Sequence, residues 1–279
     1  MKILKAKQIG YCYGVRRAAK LAREQAMLDG KMVFTLGPLM HNPQEVQRLE
    51  GEGIVPLESR PLVEIMEHSL VLRSHGVSAE LQAQAESLGI RVIDATCPYV
   101  KQPRRDLVEF GMEGRHVIII GDSDHPEVLA QISYATGPIS VVETLDDLKK
   151  VPIETKIGVV AQTTLNRTKF EEIVGALAAR HGDMKVADTI CAETDLRQKE
   201  CKELAEQSDA VVVVGGRNSA NTCRLAALAN WIEPATYHIE KAEELQIPLP
   251  GSPALVALCS GASTPDWIIA EVEARLRES

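Results

Sequence analysis

Short apolar runs alternate with longer segments of helical periodicity along the whole chain. The runs His116–Ile120 and Ala210–Val214 are continuous and aliphatic, which is typical of buried strands. Residues 193–207 alternate apolar and charged side chains at helical spacing, a pattern that predicts a helix. Strands that alternate with helices predict small parallel sheets with helical cover, and hence an α/β fold.

The pattern occurs three times, and a cysteine marks each copy. An apolar run leads into each of Cys12, Cys97 and Cys191, and a helical pattern follows each of them. The first glycine loop after these cysteines begins 25, 24 and 24 residues further on. This agreement indicates a threefold internal repeat. The predicted modules are residues 13–96, 97–190 and 191–279, with residues 1–12 as the strand that completes the third.

Composition narrows the class of protein. The net charge of −8 argues against a nucleic-acid partner, because such binding needs a basic surface. No apolar run approaches the roughly 18 residues of a membrane span, and the first residues lack the apolar core of a signal peptide. We therefore expect a cytoplasmic protein without a membrane partner. Thiols stay reduced there, so six cysteines suggest metal or redox chemistry more than disulfides.

The three repeated cysteines lie where a strand gives way to a helix, and Pro98 suits the first helical position after Cys97. The helix dipole and unbonded N–H groups favour a thiolate there. Three thiolates could bind a metal centre, but the C-x₂₋₄-C pairs of structural zinc sites are absent. A cubane [4Fe–4S] cluster usually takes four cysteines, so three would leave one iron open.

Core packing is the alternative interpretation of these cysteines, and for any single one it is the more common case. Their matched positions favour a metal centre for the set. The other three cysteines, Cys201, Cys223 and Cys259, share no matched position, so we expect core packing or no specific role for them.

Six predicted strand ends run into loops rich in hydrogen-bonding groups, and in open α/β sheets ligands bind at the carboxyl ends of strands. These loops are residues 40–42, 74–76, 124–127, 162–164, 218–221 and 262–264. His41, His75 and His125 lie on three of them, at turns that the repeat suggests are equivalent. Histidine, hydroxyl and amide groups beside helix N-termini suit a phosphate or diphosphate. No phosphate-binding or dinucleotide-binding glycine motif supports ATP or NAD.

Two kinds of residue in these loops have an ordinary structural explanation as well. Ser219, Asn221 and Ser263 could simply cap helices, which is compatible with anion binding. Glu127 could be a first-turn carboxylate favoured by the helix dipole, or a proton donor with a pKa raised by a closed cavity. The residues alone favour the first interpretation of Glu127.

Eight motifs, in order and across nearly the whole chain, resemble those of the LytB-type 4-hydroxy-3-methylbut-2-enyl diphosphate reductases. They are Gly10-Tyr-Cys-Tyr-Gly-Val-Arg-Arg-Ala, Gly37-Pro-Leu-Met-His-Asn, Ser74-His-Gly-Val-Ser, Asp94-Ala-Thr-Cys-Pro, His125-Pro-Glu-Val, Gln162-Thr-Thr-Leu, Asn218-Ser-Ala-Asn-Thr and Gly261-Ala-Ser-Thr-Pro. The resemblance implies a trefoil of three similar α/β domains around one [4Fe–4S] cluster. It implies a two-electron reductive dehydroxylation, the last step of the non-mevalonate isoprenoid pathway, that yields isopentenyl and dimethylallyl diphosphate.

The same resemblance implies roles for individual residues. The cluster ligands would be Cys12, Cys97 and Cys191. Glu127 would donate protons, with Thr163 in its hydrogen-bond network. The diphosphate would be held by His41, His75, Ser219, Asn221 and Ser263, with His125 nearby. The substrate-binding set would also include His125, Thr163, Thr164 and Ala220, and the catalytic set would be Glu127, Thr163 and His125. Two departures stand out: Ala220 replaces a serine that is frequent in the family and so removes one hydroxyl, and Pro103 with Arg104 is expected to disturb a helix.

Two alternatives from other classes remain at this stage. A dehydratase similar to quinolinate synthase also uses a three-cysteine [4Fe–4S] cluster but needs no external electrons. A non-catalytic phosphate-binding or zinc protein would contain no inorganic sulfide.

A reductase would need an electron donor, for which a ferredoxin or flavodoxin is the natural hypothesis. Lys101, Arg104 and Arg105 are a candidate docking patch for it.

Overall fold

The computed structural model describes residues 1–58, 60–153 and 156–278. In chain order, its strands are β1 Lys2–Lys5, β2 Val33–Thr35, β3 Ile54–Pro56, β4 Ser69–Leu72, β5 Arg91–Asp94, β6 His116–Ile120, β7 Ile139–Val142, β8 Ile157–Ala161, β9 Met184–Val186, β10 Ala210–Val214, β11 Thr236–Ile239 and β12 Leu255–Ser260. Its α-helices are α1 Tyr13–Asp29, α2 Pro43–Gly51, α3 Ala79–Ser87, α4 Pro98–Met112, α5 Pro126–Ile132, α6 Arg167–Ala178, α7 Ala192–Ala205, α8 Ala220–Ile232 and α9 Asp266–Arg277.

The described strands form three four-stranded sheets in which every pair is parallel. The strand orders are β3-β2-β4-β5, β7-β6-β8-β9 and β11-β10-β12-β1, so the three sheets have the same arrangement. Helices follow the strands in all three, as parallel connections require. The predicted α/β class with three similar sheet modules is therefore confirmed.

The inner strands are the most apolar segments, and their burial follows from this. Every residue of β8 and β10 is buried, whereas the edge strands β5, β7 and β11 are mostly half-buried. Parallel sheets covered by helices on both faces bury their central strands completely, which explains the runs of valine and isoleucine. The apolar core is correspondingly aliphatic.

The amino-terminal strand completes a sheet made otherwise of carboxy-terminal strands. Strand β1 pairs with β12 in parallel, with Lys2 opposite Leu255 and Lys5 opposite Leu258. Two compact units are present: Met1–Arg16, Met40–Gly51 and Ala192–Ser279 form one, and Arg17–Leu39 with Glu52–Cys191 forms the other. The module boundaries at residues 97 and 191 remain predictions.

Several predicted helix starts are confirmed by their capping bonds. The side chain of Asn42 accepts a hydrogen bond from the Glu45 N–H at 2.9 Å, and that of Ser78 accepts one from Leu81 at 3.3 Å. Helix α4 is uninterrupted at Pro103. Among the described residues, no helix is both long enough and apolar enough to cross a membrane.

Candidate active site

Each of the three repeated cysteines directly precedes the first residue of a long helix: Cys12 before α1, Cys97 before α4 and Cys191 before α7. Their backbone N–H groups make matching hydrogen bonds to the carbonyls of Ala262 (3.0 Å), Ser74 (2.8 Å) and Thr163 (2.8 Å), respectively. Each acceptor is the second residue after a strand, namely β12, β4 and β8. The threefold repeat thus extends to the backbone that holds the cysteines.

The start of α1 provides a donor close to one of the sulfur atoms. The N–H of Val15 donates to Cys12 Sγ at 3.4 Å, and Cys97 is the N-cap of α4 with Pro98 as the first helical residue. Donors of this kind, together with the helix dipole, stabilise a thiolate. No disulfide joins any of the six cysteines, all of which lie in the described ranges. The three predicted metal ligands are therefore cysteines outside any disulfide in this structure.

The turn before Cys97 is fixed by Asp94. One carboxylate oxygen accepts from the Thr96 N–H at 2.9 Å, and the other from Lys101 Nζ at 2.5 Å. Arg17 donates to the carbonyl of Thr96 at 3.4 Å. Partial burial disfavours the charge on Asp94, but the hydrogen bonds from Lys101 and Thr96 outweigh it, so the pKa of this carboxyl lies below its usual value.

Glu127 is a buried carboxylate held by a neighbouring loop. Glu127 is only 2% exposed. Oε1 accepts from the Thr163 N–H at 2.7 Å and Oε2 from Thr163 Oγ1 at 2.7 Å. The helix dipole is therefore not its only stabilising contact, because Thr163 bonds both carboxyl oxygens. The proton-donor role of Glu127 remains a prediction.

The Thr163 loop brings several predicted residues together. The carbonyl of Thr163 accepts from the Cys191 N–H, while its own N–H and hydroxyl bind Glu127. Gln162, which is fully buried, donates to Thr164 Oγ1 at 3.0 Å and accepts from the Asp122 N–H at 2.9 Å. A cysteine, a carboxylate and two threonines are thus held in a single network.

His125 is the N-cap of α5, and its Nδ1 accepts a hydrogen bond from the Glu127 N–H at 3.1 Å. Because a backbone N–H can only donate, Nδ1 carries no proton. The proton of the neutral ring is therefore on Nε2, where it is a donor. His75 follows Ser74, the residue bonded to Cys97, and is buried. Arg73 Nε donates to the Gly76 carbonyl at 3.0 Å and shapes this loop.

The start of α8 gathers the remaining predicted residues, and Cys12 lies beside them. Ser219 caps the helix and accepts from the Thr222 N–H at 3.4 Å. A Cβ on Gly216 would lie 2.5 Å from the His41 carbonyl, and one on Gly261 would lie 1.9 Å from Thr222 Oγ1. The loops that carry His41, Ser219 and Ser263 therefore pack against one another. The backbone bond of Cys12 goes to Ala262, the residue before Ser263.

Asn221 is the second residue of α8, and its amide has no hydrogen-bond partner in the part of the chain that the structure describes. It is 5% exposed, and within the described residues neither Nδ2 nor Oδ1 makes a hydrogen bond. Leaving both atoms of a buried amide unbonded is unfavourable unless a ligand completes them. A polar ligand at the start of α8, as predicted for Asn221, would complete both atoms. Ala220 precedes it as the first residue of the helix.

The expectation that the three histidines occupy equivalent turns is wrong. The N-cap equivalent to His125 is Asn42 in α2 and Ser219 in α8. His41 lies one residue before its cap, and His75 lies on the other kind of loop, after β4. The three loops are therefore equivalent at the residue that caps the following helix, and the residue type at that position differs from loop to loop.

The other cysteines divide into two classes. Cys201 and Cys259 are buried in the core, as predicted, while Cys223 is exposed.

Over residues 1–58, 60–153 and 156–278, no set of three or more histidine, cysteine, aspartate or glutamate side chains is arranged to hold a single metal ion.

Sequence reasoning missed two residues that position the site. Arg197 is buried and donates to the carbonyls of Gln8 (2.9 Å) and Gly10 (2.8 Å), which holds the segment leading into Cys12. Gln131 donates to Glu127 at 3.2 Å. The sequence does contain a signal for this contact, because Gln131 lies four residues after Glu127 and residues at this spacing on a helix are neighbours.

These observations define a parallel α/β protein with three sheets whose strand-end loops carry cysteine, histidine, hydroxyl and carboxyl groups. The chain belongs to the LytB protein family, whose sequence profile matches residues 3–277. The predicted family is confirmed.

Curated relatives match along nearly their whole length. The 4-hydroxy-3-methylbut-2-enyl diphosphate reductase of Aquifex aeolicus is 42% identical over 99% of this chain and 96% of its own. That of Geotalea daltonii is 44% identical over 98% and 95%. The enzyme of Geobacter sulfurreducens is 43% identical over 100% and 98%.

Two solved structures of diphosphate reductases are also similar to this chain. A structure of (E)-4-hydroxy-3-methyl-but-2-enyl diphosphate reductase, described as the terminal enzyme of the non-mevalonate pathway, is 41% identical with a TM-score of 0.74 and covers 100% of this chain and 99% of its own. A second, the E-1-hydroxy-2-methyl-but-2-enyl-4-diphosphate reductase from Plasmodium falciparum, is 26% identical with a TM-score of 0.91 and covers 98% and 87%.

Proposed function

We propose that this chain catalyses the two-electron reduction of 4-hydroxy-3-methylbut-2-enyl diphosphate to isopentenyl and dimethylallyl diphosphate, with loss of water. The predicted reductase activity is confirmed by the relatives, which carry it at 42–44% identity over nearly the full chain. The observation of the site that best supports it is Glu127, a buried carboxylate anchored to the loop that also binds Cys191.

One [4Fe–4S] cluster bound by Cys12, Cys97 and Cys191 is the proposed cofactor. The matched backbone bonds of the three cysteines and their positions before α1, α4 and α7 support this assignment. When bound, the cluster supplies the electrons and a Lewis acid for the hydroxyl oxygen. The remaining steps concern the side chains of the chain itself.

The diphosphate is proposed to bind at the start of α8. The amide of Asn221, the first N–H groups of this 13-residue helix and the hydroxyls of Ser219 and Ser263 are suitable donors. His41 lies on a loop packed against them. His75, His125 and Thr164 are proposed as further donors, and Ala220 contributes only its backbone. The diphosphate supplies remote binding energy that orients the reacting carbon.

Glu127 is proposed as the proton donor. The C–O bond to the hydroxyl breaks, the oxygen leaves as water, and a C–H bond forms at one of the two ends of the allylic unit, which accounts for two products. The balance requires two electrons and two protons. Thr163 holds both carboxyl oxygens of Glu127, so the orientation of the acid is set before substrate binds.

The electron donor is proposed to be a ferredoxin or flavodoxin, and a cytoplasmic location suits thiol ligands that must stay reduced. Two cations of the candidate docking patch are already engaged. Lys101 is paired with Asp94, and the Arg104 guanidinium lies 3.8 Å from the centre of the Tyr134 ring. Arg105 is exposed. Reversal of its charge should reduce turnover with the protein donor but not with a small chemical reductant.

The test is an anaerobic assay with 4-hydroxy-3-methylbut-2-enyl diphosphate. Iron, inorganic sulfide and the visible spectrum are recorded first, and turnover is then measured with and without reductant. Formation of both five-carbon diphosphates only with reductant supports the proposal. Reaction without reductant would favour a dehydratase, and zinc without sulfide would favour the non-catalytic alternative.

A further inference from the structure

Gln131 is a buried amide that the proposed function leaves without a role. It lies on α5, one helical turn after Glu127, and is 2% exposed. Its Nε2 donates to Glu127 Oε1 at 3.2 Å. Its Oε1 is buried and makes no hydrogen bond within the described part of the chain. A buried amide oxygen without a donor is unfavourable, so an apolar side chain of this length would suit the position better if packing were its only purpose.

The unbonded Oε1 of Gln131 is explained if the neighbouring Glu127 donates protons. A carboxylate only accepts hydrogen bonds, whereas the carboxylic acid also has a proton to donate. The Thr163 hydroxyl can both donate and accept, but it faces Oε2 of Glu127. At Oε1, the Thr163 N–H is a fixed donor and cannot accept a bond from the acid. The amide of Gln131 can do both, because a half-turn about its last torsion exchanges the Nε2 donor for the Oε1 acceptor.

We propose that Gln131 is a positioning residue that holds the Glu127 carboxyl group in both of its protonation states during proton delivery. The inference rests on the proposed function and deepens it. Thr163 fixes the carboxyl group from one side, and Gln131 fixes it from its own helix. Loss of the amide would remove the hydrogen bond from α5 and leave those from Thr163.

Gln131→Met tests this, because methionine keeps the length and removes both hydrogen-bonding atoms. We expect kcat to fall about tenfold while KM stays within twofold, since general acid catalysis depends on the placement of the acid and the diphosphate is bound elsewhere. The ratio of the two products should also change, because the proton is delivered to either end of the allylic unit. Cluster content should remain that of the wild type.

Gln25→Met is the matched control. Gln25 is also a buried glutamine, and it donates to Asp29 at 2.7 Å and Ser69 at 3.1 Å, outside the site loops. A merely structural effect would lower stability in both variants without changing the product ratio. Equal kinetic changes in both, or unchanged kcat and product ratio in Gln131→Met, would overturn the inference. If Gln131→Met does not fold, Gln131→Asn, whose amide is one carbon too short to reach Glu127, is measured in its place.

A structural readout separates this inference from the proposed function. If the wild type does not convert the substrate, the proposed function fails, and crystal structures of wild type and variant decide the inference. A Glu127 carboxyl group displaced from Thr163 in the variant supports positioning by Gln131. An unchanged carboxyl group overturns it.

Discussion

Glu127 is the residue on which the proton chemistry depends, and Glu127→Gln removes its proton while keeping its shape. We expect kcat to fall about 10²- to 10³-fold, the usual contribution of a general acid. KM should stay within twofold, because other side chains bind the diphosphate, and iron content should not change. Anaerobic steady-state kinetics checks this. Activity close to that of the wild type would remove Glu127 from the proton path.

Ala220 lies where the resemblance to the family implies a serine, and Ala220→Ser should provide a further donor to the diphosphate. The first residue of α8 tolerates serine, and one additional hydrogen bond to a charged oxygen should lower KM about three- to tenfold with little change in kcat. Ala227→Ser, on the exposed face of the same helix, is the control. A KM equal to that of the wild type would show that the side chain at 220 does not reach the diphosphate.

The residue types of the site could be predicted from the sequence, but most of their partners could not. Glu127 and Thr163 are 36 positions apart, and no local pattern shows that two hydrogen bonds join them. The burial of Glu127 follows from that contact and not from its position in a first helical turn. The contact between Gln131 and Glu127 could have been predicted from the sequence, because residues four apart on a helix face each other.

At the scale of elements, the helix starts at the cysteines were predictable, because an apolar run followed by a helical pattern locates them to within a residue or two. The equivalence of the histidines was not. The helix cap Asn42 lies 7 positions after Thr35, the end of the preceding strand, whereas the cap His125 lies only 5 positions after Ile120. The longer first loop shifts His41 out of register with the repeat.

Asp94, at the end of β5, should stabilise the turn into Cys97 in a pH-dependent way. Its folded pKa is lowered, so its contribution is present above the unfolded pKa of about 3.9 and is lost as the pH falls through the folded value. Asp94→Asn keeps an acceptor for Thr96 but loses the ion pair with Lys101. Because these side chains are 34% and 32% exposed and solvent screens them, we expect a loss of only about 0.5–1 kcal/mol at pH 7.

Thermal unfolding of the apoprotein at pH 7 and pH 3 checks the Asp94 prediction. The difference between wild type and Asp94→Asn should shrink at the lower pH, because pH 3 lies below the unfolded pKa of about 3.9 and the unfolded chain then gains the proton. Asp106→Asn on α4, which replaces a carboxylate that accepts hydrogen bonds from the neutral Gln102, is the matched control. An equal difference at both pH values would contradict the assigned ion pair.

At the scale of the whole molecule, the three parallel sheets followed from the periodicity, whereas the compact units did not. Sequence reasoning grouped residues 40–51 with their neighbours in the chain, yet they belong to the unit formed by both chain ends. The contact between His41 and Gly216 shows one cause, since it joins loops 175 residues apart. Packing of this kind depends on three-dimensional shape, which hydrophobic patterns along the chain do not encode.

The three cysteines should act as one set, because each comes from a different third of the chain. Cys12→Ser, Cys97→Ser and Cys191→Ser should each lose most of the iron and sulfide after anaerobic reconstitution, whereas Cys223→Ser, at an exposed cysteine without a matched position, should retain both. A ligand bound only by the folded chain raises its stability. The wild type and Cys223→Ser should therefore melt several degrees higher after reconstitution, and the three ligand variants should not. Retention of a stable cluster by one of the three would remove that cysteine from the ligand set.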